Sequence, residues 1–220
     1  MPPRTSLAAR YGDRVSEESA RGSETKGLTY RDEDWYGDDL SGLRFVDCTF
    51  SRVDLSEVTT RGTTFENCVF DGCRFNASSH VASAFVACEL RRCNLFDATF
   101  DGCKVAGSTF DECTMRPVKI LGGSWRGVVL RGANLAGVRL AGLDLRDADL
   151  SMATLAKADL SGCDLSHATL RETDLREADL RGATLEGVDL RAARLDRTAV
   201  GLAGAVRLAE QHGAVVDASY

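Results

Sequence analysis

Eight cysteines, one oddly placed histidine and a series of evenly spaced aspartates are the residues of this 220-residue chain whose types could do chemistry. Cys48, Cys68, Cys73, Cys88, Cys93, Cys103, Cys113 and Cys163 are separated by multiples of five. Thiols so spaced could pair as disulfides, hold a soft metal, respond to oxidants or simply pack. No Cys-x-x-Cys pair occurs and no histidine lies beside them in ligand spacing, so no metal site and no cofactor are expected. Ala, Ser, Thr and Val exchange with cysteine in the same slot, as they would if only small size mattered. Packing is therefore the expected role. His80 stands where its neighbours carry Leu or Phe and has no Cys, Asp or Glu partner nearby in sequence. A hydrogen-bonded structural residue is expected there, although a side chain titrating near neutrality could also act as a switch. No G-x-S-x-G, P-loop or H-E-x-x-H is present, so no catalytic residue is assigned and the pattern points away from an enzyme.

The aspartates are more suggestive. Asp144, Asp149, Asp159, Asp164, Asp174, Asp179 and Asp189 each stand immediately before a leucine. Such side chains can bond to turn backbone, which is a structural role. The other reading is a ladder of carboxylates whose field resembles a phosphate backbone, but the sequence alone favours the turn-bonding role. The formal charge of −6 is unevenly spread. Residues 40–140 hold 10 acids and 12 Lys or Arg, whereas residues 141–196 hold 12 acids and 7 bases. An acidic chain is a poor direct binder of nucleic acid.

What could position these groups is a strict period. Every fifth residue from Leu40 to Leu195 belongs to one frame, and 30 of those 32 positions hold Leu, Phe, Val, Ile, Met or Trp. Thr60 and His80 are the exceptions. Two residues before each of these anchors lies a restricted, mostly small slot that contains all eight cysteines. Gly recurs two residues after the anchor. Steps of five drift about 140° per anchor on an α-helix and form no stripe. On one long strand they would send alternate anchors to opposite faces. A short extended piece with a turn after each anchor satisfies both slots, since residues two apart then point inward together. Winding such pieces into a coil buries a continuous stack, which defines an all-β solenoid.

Blocks of the form A-[DN]-L-x-G, repeated without interruption, resemble the pentapeptide-repeat family over residues 30–200. That resemblance implies a right-handed quadrilateral β-helix with four pentapeptides per coil of 20 residues. The runs SSHVASAF, NLFDATF, GSTF and ECTMRPVKI, followed by AVRLAEQHGAVV, are similar in content and order to the MfpA/Qnr quinolone-resistance branch. Members of that branch are dimeric rods that act on DNA gyrase and are thought to mimic its DNA. The resemblance implies a homodimer that binds gyrase through the seven aspartates, inhibiting or protecting it. The alternative is a repeat scaffold for another intracellular protein, with no topoisomerase role.

The flanks break the period. Residues 1–29 are rich in Arg, Glu, Ser and Gly and are expected to form a flexible extension. Residues 201–212 place Leu202, Val206 and Ala209 on one helical face, ending at Gly213. A short C-terminal α-helix is expected there, with residues 201–220 capping the coil or joining two copies. Val200, Leu202, Val206, Ala209, Val215 and Val216 are the expected dimer contacts. The first residues lack the apolar core of an export signal, no run of 18 apolar residues occurs, and a reducing cytoplasmic setting without membrane attachment is expected.

Overall fold

The computed structural model describes residues 24–217, and the chain there winds into a β-solenoid of about nine coils closed by one helix. Each strand is parallel to, and in register with, the segment 20 residues further on. Glu24–Lys26, Arg44–Val46, Thr64–Glu66 and Ala84–Val86 make one side of the rod. Thr29–Arg31, Thr49–Ser51, Val69–Asp71, Glu89–Arg91 and Thr109–Asp111 make the next. The third side is a column of isolated bridges, Asp34↔Asp54↔Arg74↔Asn94↔Thr114. Thr59–Arg61, Ser79–Val81, Ala98–Asp101 and Val118–Leu121 form the fourth. Beyond residue 121 the same four columns continue mainly as bridges, such as Asp144↔Asp164 and Asp159↔Asp179. At the usual spacing of parallel strands, nine coils span roughly 40 Å.

The five-residue unit explains itself locally. The anchor and the residue two before it both point inward, so Phe65 and Thr63, or Leu165 and Cys163, are buried together. Two residues after the anchor the backbone turns through the left-handed region, as at Gly142 (φ 72°) and, less comfortably, Met152 (φ 61°). The amide at that turn donates to the next coil, as Gly142 does to Ser161 O at 2.8 Å. Anchors stack on like anchors: Phe45, Phe65 and Phe85 lie ring on ring at 5.1 and 4.8 Å. Trp125 fits because the anchor 20 residues earlier is the small Val105, and its ring stacks on Phe110 at 5.7 Å.

The coil begins earlier than expected. Residues 24–29, assigned above to the flexible extension, already pair with coil two, Thr25 standing opposite Phe45. Thr25 occupies the anchor frame as a small polar residue and so hides the first repeat from a search for large apolar side chains. The remainder of that extension, and residues 218–220, lie outside the described residues.

At the other end α1, Leu202–Gln211, lies across the last coil and ends at Gly213 (φ 85°). Its Gln211 carboxamide accepts from Leu190 N at 3.0 Å and donates to Val188 O at 2.6 Å. In a regular coil both bonds would go to the amide and carbonyl of one residue in the following turn, as Leu143 and Leu145 bond to Asp164. A single side chain thus stands in for the backbone that is no longer there. Among the described residues no helix is long and apolar enough to cross a membrane.

Gly123 marks the tightest backbone approach between coils. It has φ 98°, and a Cβ there would land on the carbonyl oxygen of Cys103 and 2.8 Å from its nitrogen. Gly123→Ala should therefore lower stability by about 3 kcal/mol or more, whereas Gly142→Ala, with open space around it, should cost only about 1 kcal/mol. Urea denaturation of the two variants checks this; equal midpoints would contradict it.

Candidate functional site

The interior of the rod is filled by anchors, so the candidate site is built from side chains that leave it. The seven expected aspartates occupy the outward position before an anchor. Each accepts, through one carboxylate oxygen, the amide of the residue two further on. The distances run from 2.9 Å (Ser151 N to Asp149) to 3.3 Å (Arg146 N to Asp144). Asp39, Asp54, Asn94 and Asn134 make the same bond elsewhere in the rod. The column therefore holds Asp or Asn for a structural reason, and its charge is a separate matter.

The residue after the leucine decides what that charge does. Where the triplet is Asp-Leu-Arg, the guanidinium points outward beside the carboxylate and grips it with two nitrogens. This holds for Asp144–Arg146, Asp174–Arg176, Asp179–Arg181 and Asp189–Arg191. These arginine bonds hold all four carboxyls down to about 2. Where the triplet is Asp-Leu-Ser, the carboxylate has no arginine fork. Ser161 and Ser166 donate hydroxyls to Asp159 and Asp164 at 2.6 Å. The nearest cations, Arg139 and Arg146, stand 3.7 and 3.6 Å away. Asp149 accepts the Ser151 amide without an arginine fork. The Asp-Leu-Arg and Asp-Leu-Ser triplets are visible in the sequence and would have separated forked from unforked carboxylates.

The seven aspartates do not share one face. Asp144 and Asp164 lie on one side of the rod, Asp159 and Asp179 on the side before it, Asp149 and Asp189 on a third, and Asp174 on the fourth. Within residues 141–196, the two adjacent sides that carry Asp144, Asp159, Asp164 and Asp179 hold six acids against two bases. The other two hold six acids against five bases. Asp147 and Glu186 belong to the acidic pair of sides and were missed, because neither occupies the slot before an anchor. Asp147 is bound to Arg126 at 2.9 Å.

The expected dimer residues also separate. Val200 pairs with Leu180 and packs against the core. The helix turns Gly204 onto Leu185 and Val200, and Leu208 onto the rod. Val206, Ala209 and Val216 are half-buried, while Leu202 (83%) and Val215 (98%) are exposed.

His80 sits in the core between Thr60 and Phe100, its ring centroid 5.0 Å from that of Phe100. Ser78 donates its hydroxyl proton to Phe75 O at 2.8 Å and so accepts from His80 Nε2 at 3.0 Å. That assignment leaves Nδ1 to accept from the Thr60 hydroxyl at 2.9 Å. Both nitrogens of the neutral ring are thereby satisfied, and burial pushes its pKa down to about 3.

A square rod of stacked five-residue units with a polar exterior and a packed interior is a repeat solenoid. The pentapeptide-repeat profile matches residues 158–197 in eight copies, and a pentapeptide repeat region matches residues 43–150. The chain belongs to the pentapeptide-repeat family. It is 37% identical over 97 residues to the pentapeptide repeat protein MfpA of Mycobacterium tuberculosis strain H37Rv. That match covers 44% of this chain and 42% of the relative, so the chain aligns with less than half the length of this curated protein. Among solved structures it superposes on a trypsin-treated variant of QnrB1, a plasmid-mediated fluoroquinolone resistance protein, with a TM-score of 0.73. The identity there is 19%, covering 89% of this chain and all of that one.

His80 binds no proton in the folded state until about pH 3, whereas an unfolded histidine does so near 6.5. The unfolded chain then carries the extra proton between those values, and stability falls as pH falls through that window. The loss assigned to His80 should reach about 3 kcal/mol at pH 4. Urea midpoints of the protein and of His80→Phe should diverge below pH 6.5 in favour of the variant; parallel curves would contradict the assignment.

Proposed function

We propose that this protein is a DNA-mimicking rod that binds DNA gyrase and thereby modulates the enzyme and confers resistance to fluoroquinolones or related topoisomerase poisons. The observation that carries this reading is the concentration of acid on two adjacent sides of the C-terminal half. There Asp159 and Asp164 carry no arginine fork, their ion pairs to Arg139 and Arg146 being 3.7 and 3.6 Å long, and Asp144 and Asp179 stack with them in the regular spacing of the coils. A basic DNA-binding saddle would meet a straight row of negative charge, as it does on a duplex. The relation to MfpA and the fold shared with QnrB1 support the same reading.

The dimer belongs to the proposal. Leu202 and Val215 expose apolar surface at the end of the rod nearest the acidic coils. Two copies joined there would place those coils at the centre of a rod of roughly 80 Å. The protein acts by binding rather than by catalysis and works in the cytoplasm, where gyrase is. The Asp-Leu-Arg forks favour a second reading, a scaffold for another protein, because they leave a mixed surface on the remaining two sides.

Purified protein should inhibit gyrase supercoiling, or relieve quinolone-stabilised cleavage, at micromolar concentration; inactivity in both assays would sink the proposal. Asp→Asn changes at positions 144, 159, 164 and 179 keep the turn-capping oxygen, as Asn94 and Asn134 show, while removing the charge. The fourfold variant should melt close to the parent yet need about tenfold more protein for the same effect. The matching change at Asp149, Asp174 and Asp189 should matter less; equal losses would reject the two-sided acidic surface. Leu202→Glu should convert the dimer to a folded monomer in light scattering, and an unchanged mass would reject this interface.

A further inference from the structure

Seven of the eight cysteines are buried, and Cys113 is not. The difference follows from its neighbours in the column. Cys73, Cys93 and Cys113 stack one coil apart, and the place above Cys113 is taken by Ala133, which leaves a cavity of about 40 Å³. Cys113, Met115, Phe110 and the guanidinium-bearing Arg131 line it, with Glu112 at the same opening. Arg131 reaches no carboxylate among the described residues, and its polar contact is with Met152 Sδ at 3.6 Å. Below Cys113, Cys93 holds the same place one coil earlier, and each thiol donates to backbone carbonyls of the coil beneath it, Cys113 to Leu90 O at 3.3 Å and Cys93 to Phe70 O at 3.4 Å. Neighbouring coils place in-register Cα atoms about 4.8 Å apart, inside the range a disulfide spans.

We propose that Cys113 and Cys93 form a thiol oxidation site for small hydroperoxides, with Cys113 the attacking sulfur and Cys93 the resolving one. The Cys113 thiolate attacks the outer oxygen of the peroxide and the O–O bond breaks. Sulfur is oxidised to the sulfenic acid, and the departing alkoxide or hydroxide takes a proton to leave as alcohol or water. The Cys93 sulfur then displaces that hydroxyl, losing its own proton, and one water leaves as the disulfide forms. Arg131 lines the same cavity, so its positive charge would favour the thiolate as a reactant enters, whereas Asp111 opposes it. The other six cysteines have no such opening and remain packing residues.

The full-length protein, reduced and then treated at neutral pH with iodoacetamide, should alkylate at Cys113 about tenfold or more faster than at any other cysteine. Treated instead with hydrogen peroxide, it should yield a Cys93–Cys113 disulfide in peptide mass spectra. Cys93→Ala should convert that product into a dimedone-trapped sulfenic acid at Cys113. Cys113→Ala uses the residue already present at 133, keeps the fold, and should abolish both products. Arg131→Gln should slow alkylation several-fold. Preferential modification of another cysteine would overturn the proposal, as would protection of all eight until unfolding. Alkylation at Cys113 with neither sulfenic acid nor disulfide after peroxide would overturn it equally.

Discussion

The interaction on which everything else rests is the parallel, in-register backbone ladder between one coil and the next. An anchor amide donates 19 residues ahead, as Leu145 does to Asp164 O, and the residue before an anchor donates 21 residues back, as Asp164 does to Leu143 O. Every coil thus satisfies the polar backbone of its neighbours, and no coil is satisfied alone. An insertion of one residue would break this pairing on every side at once, which is why the frame holds without a slip from Leu40 to Leu195. The same ladder forces two inward positions per unit and closes the interior. What the molecule can present to a partner is therefore confined to outward side chains and to the two ends of the rod.

That division decides how much could be read from the sequence. Inward positions are dictated by packing, so anchors, small slots and turns were legible residue by residue, and the thiols were recognisable as space-filling groups. Thr25 escaped because its pairing, and not its side chain, places it in the coil. Outward positions answer to weaker and more local rules. The column of aspartates was legible, but its charge depends on whether Arg or Ser follows the leucine, a contact made across one anchor in extended backbone. The helix was legible as an element. Which of its residues met the rod was not, because Gly204 packs where its lack of a side chain admits Leu185 and Val200, and no hydrophobic pattern records a glycine contact.

The N-terminal and C-terminal halves solve the packing problem differently. Phenylalanines stack in the first half, where three-residue strands form continuous sheets. Leucines fill the second, where most pairings are single bridges. Where His80 interrupts the aromatic stack, three hydroxyls from Thr60, Ser78 and Ser83 accompany it, the first two bonding its ring nitrogens. A buried imidazole without them would leave unsatisfied nitrogens among aromatic rings, at a cost comparable to losing a whole anchor. The EVTTRGTTF and ASSHVASAF runs, 20 residues apart, are thus one polar layer written twice because the ladder superposes them.

A solenoid held by such a ladder can end only where something else completes it. At the C-terminus Gln211 and Arg207 take over the unpaired groups of Val188 and Leu190, so the helix caps backbone polarity with side chains and not with another coil. A helix committed in this way turns Gly204 and Leu208 inward and cannot also bury Leu202, which lies on its other face. The exposed apolar surface is therefore a geometric consequence of how the ladder is terminated. It places that exposed apolar surface at the C-terminal end of the rod, the half in which acids outnumber bases. Capping and exposed apolar surface thereby fall at one end of the rod, while the one half-buried cysteine lies in the middle, beside the small Ala133.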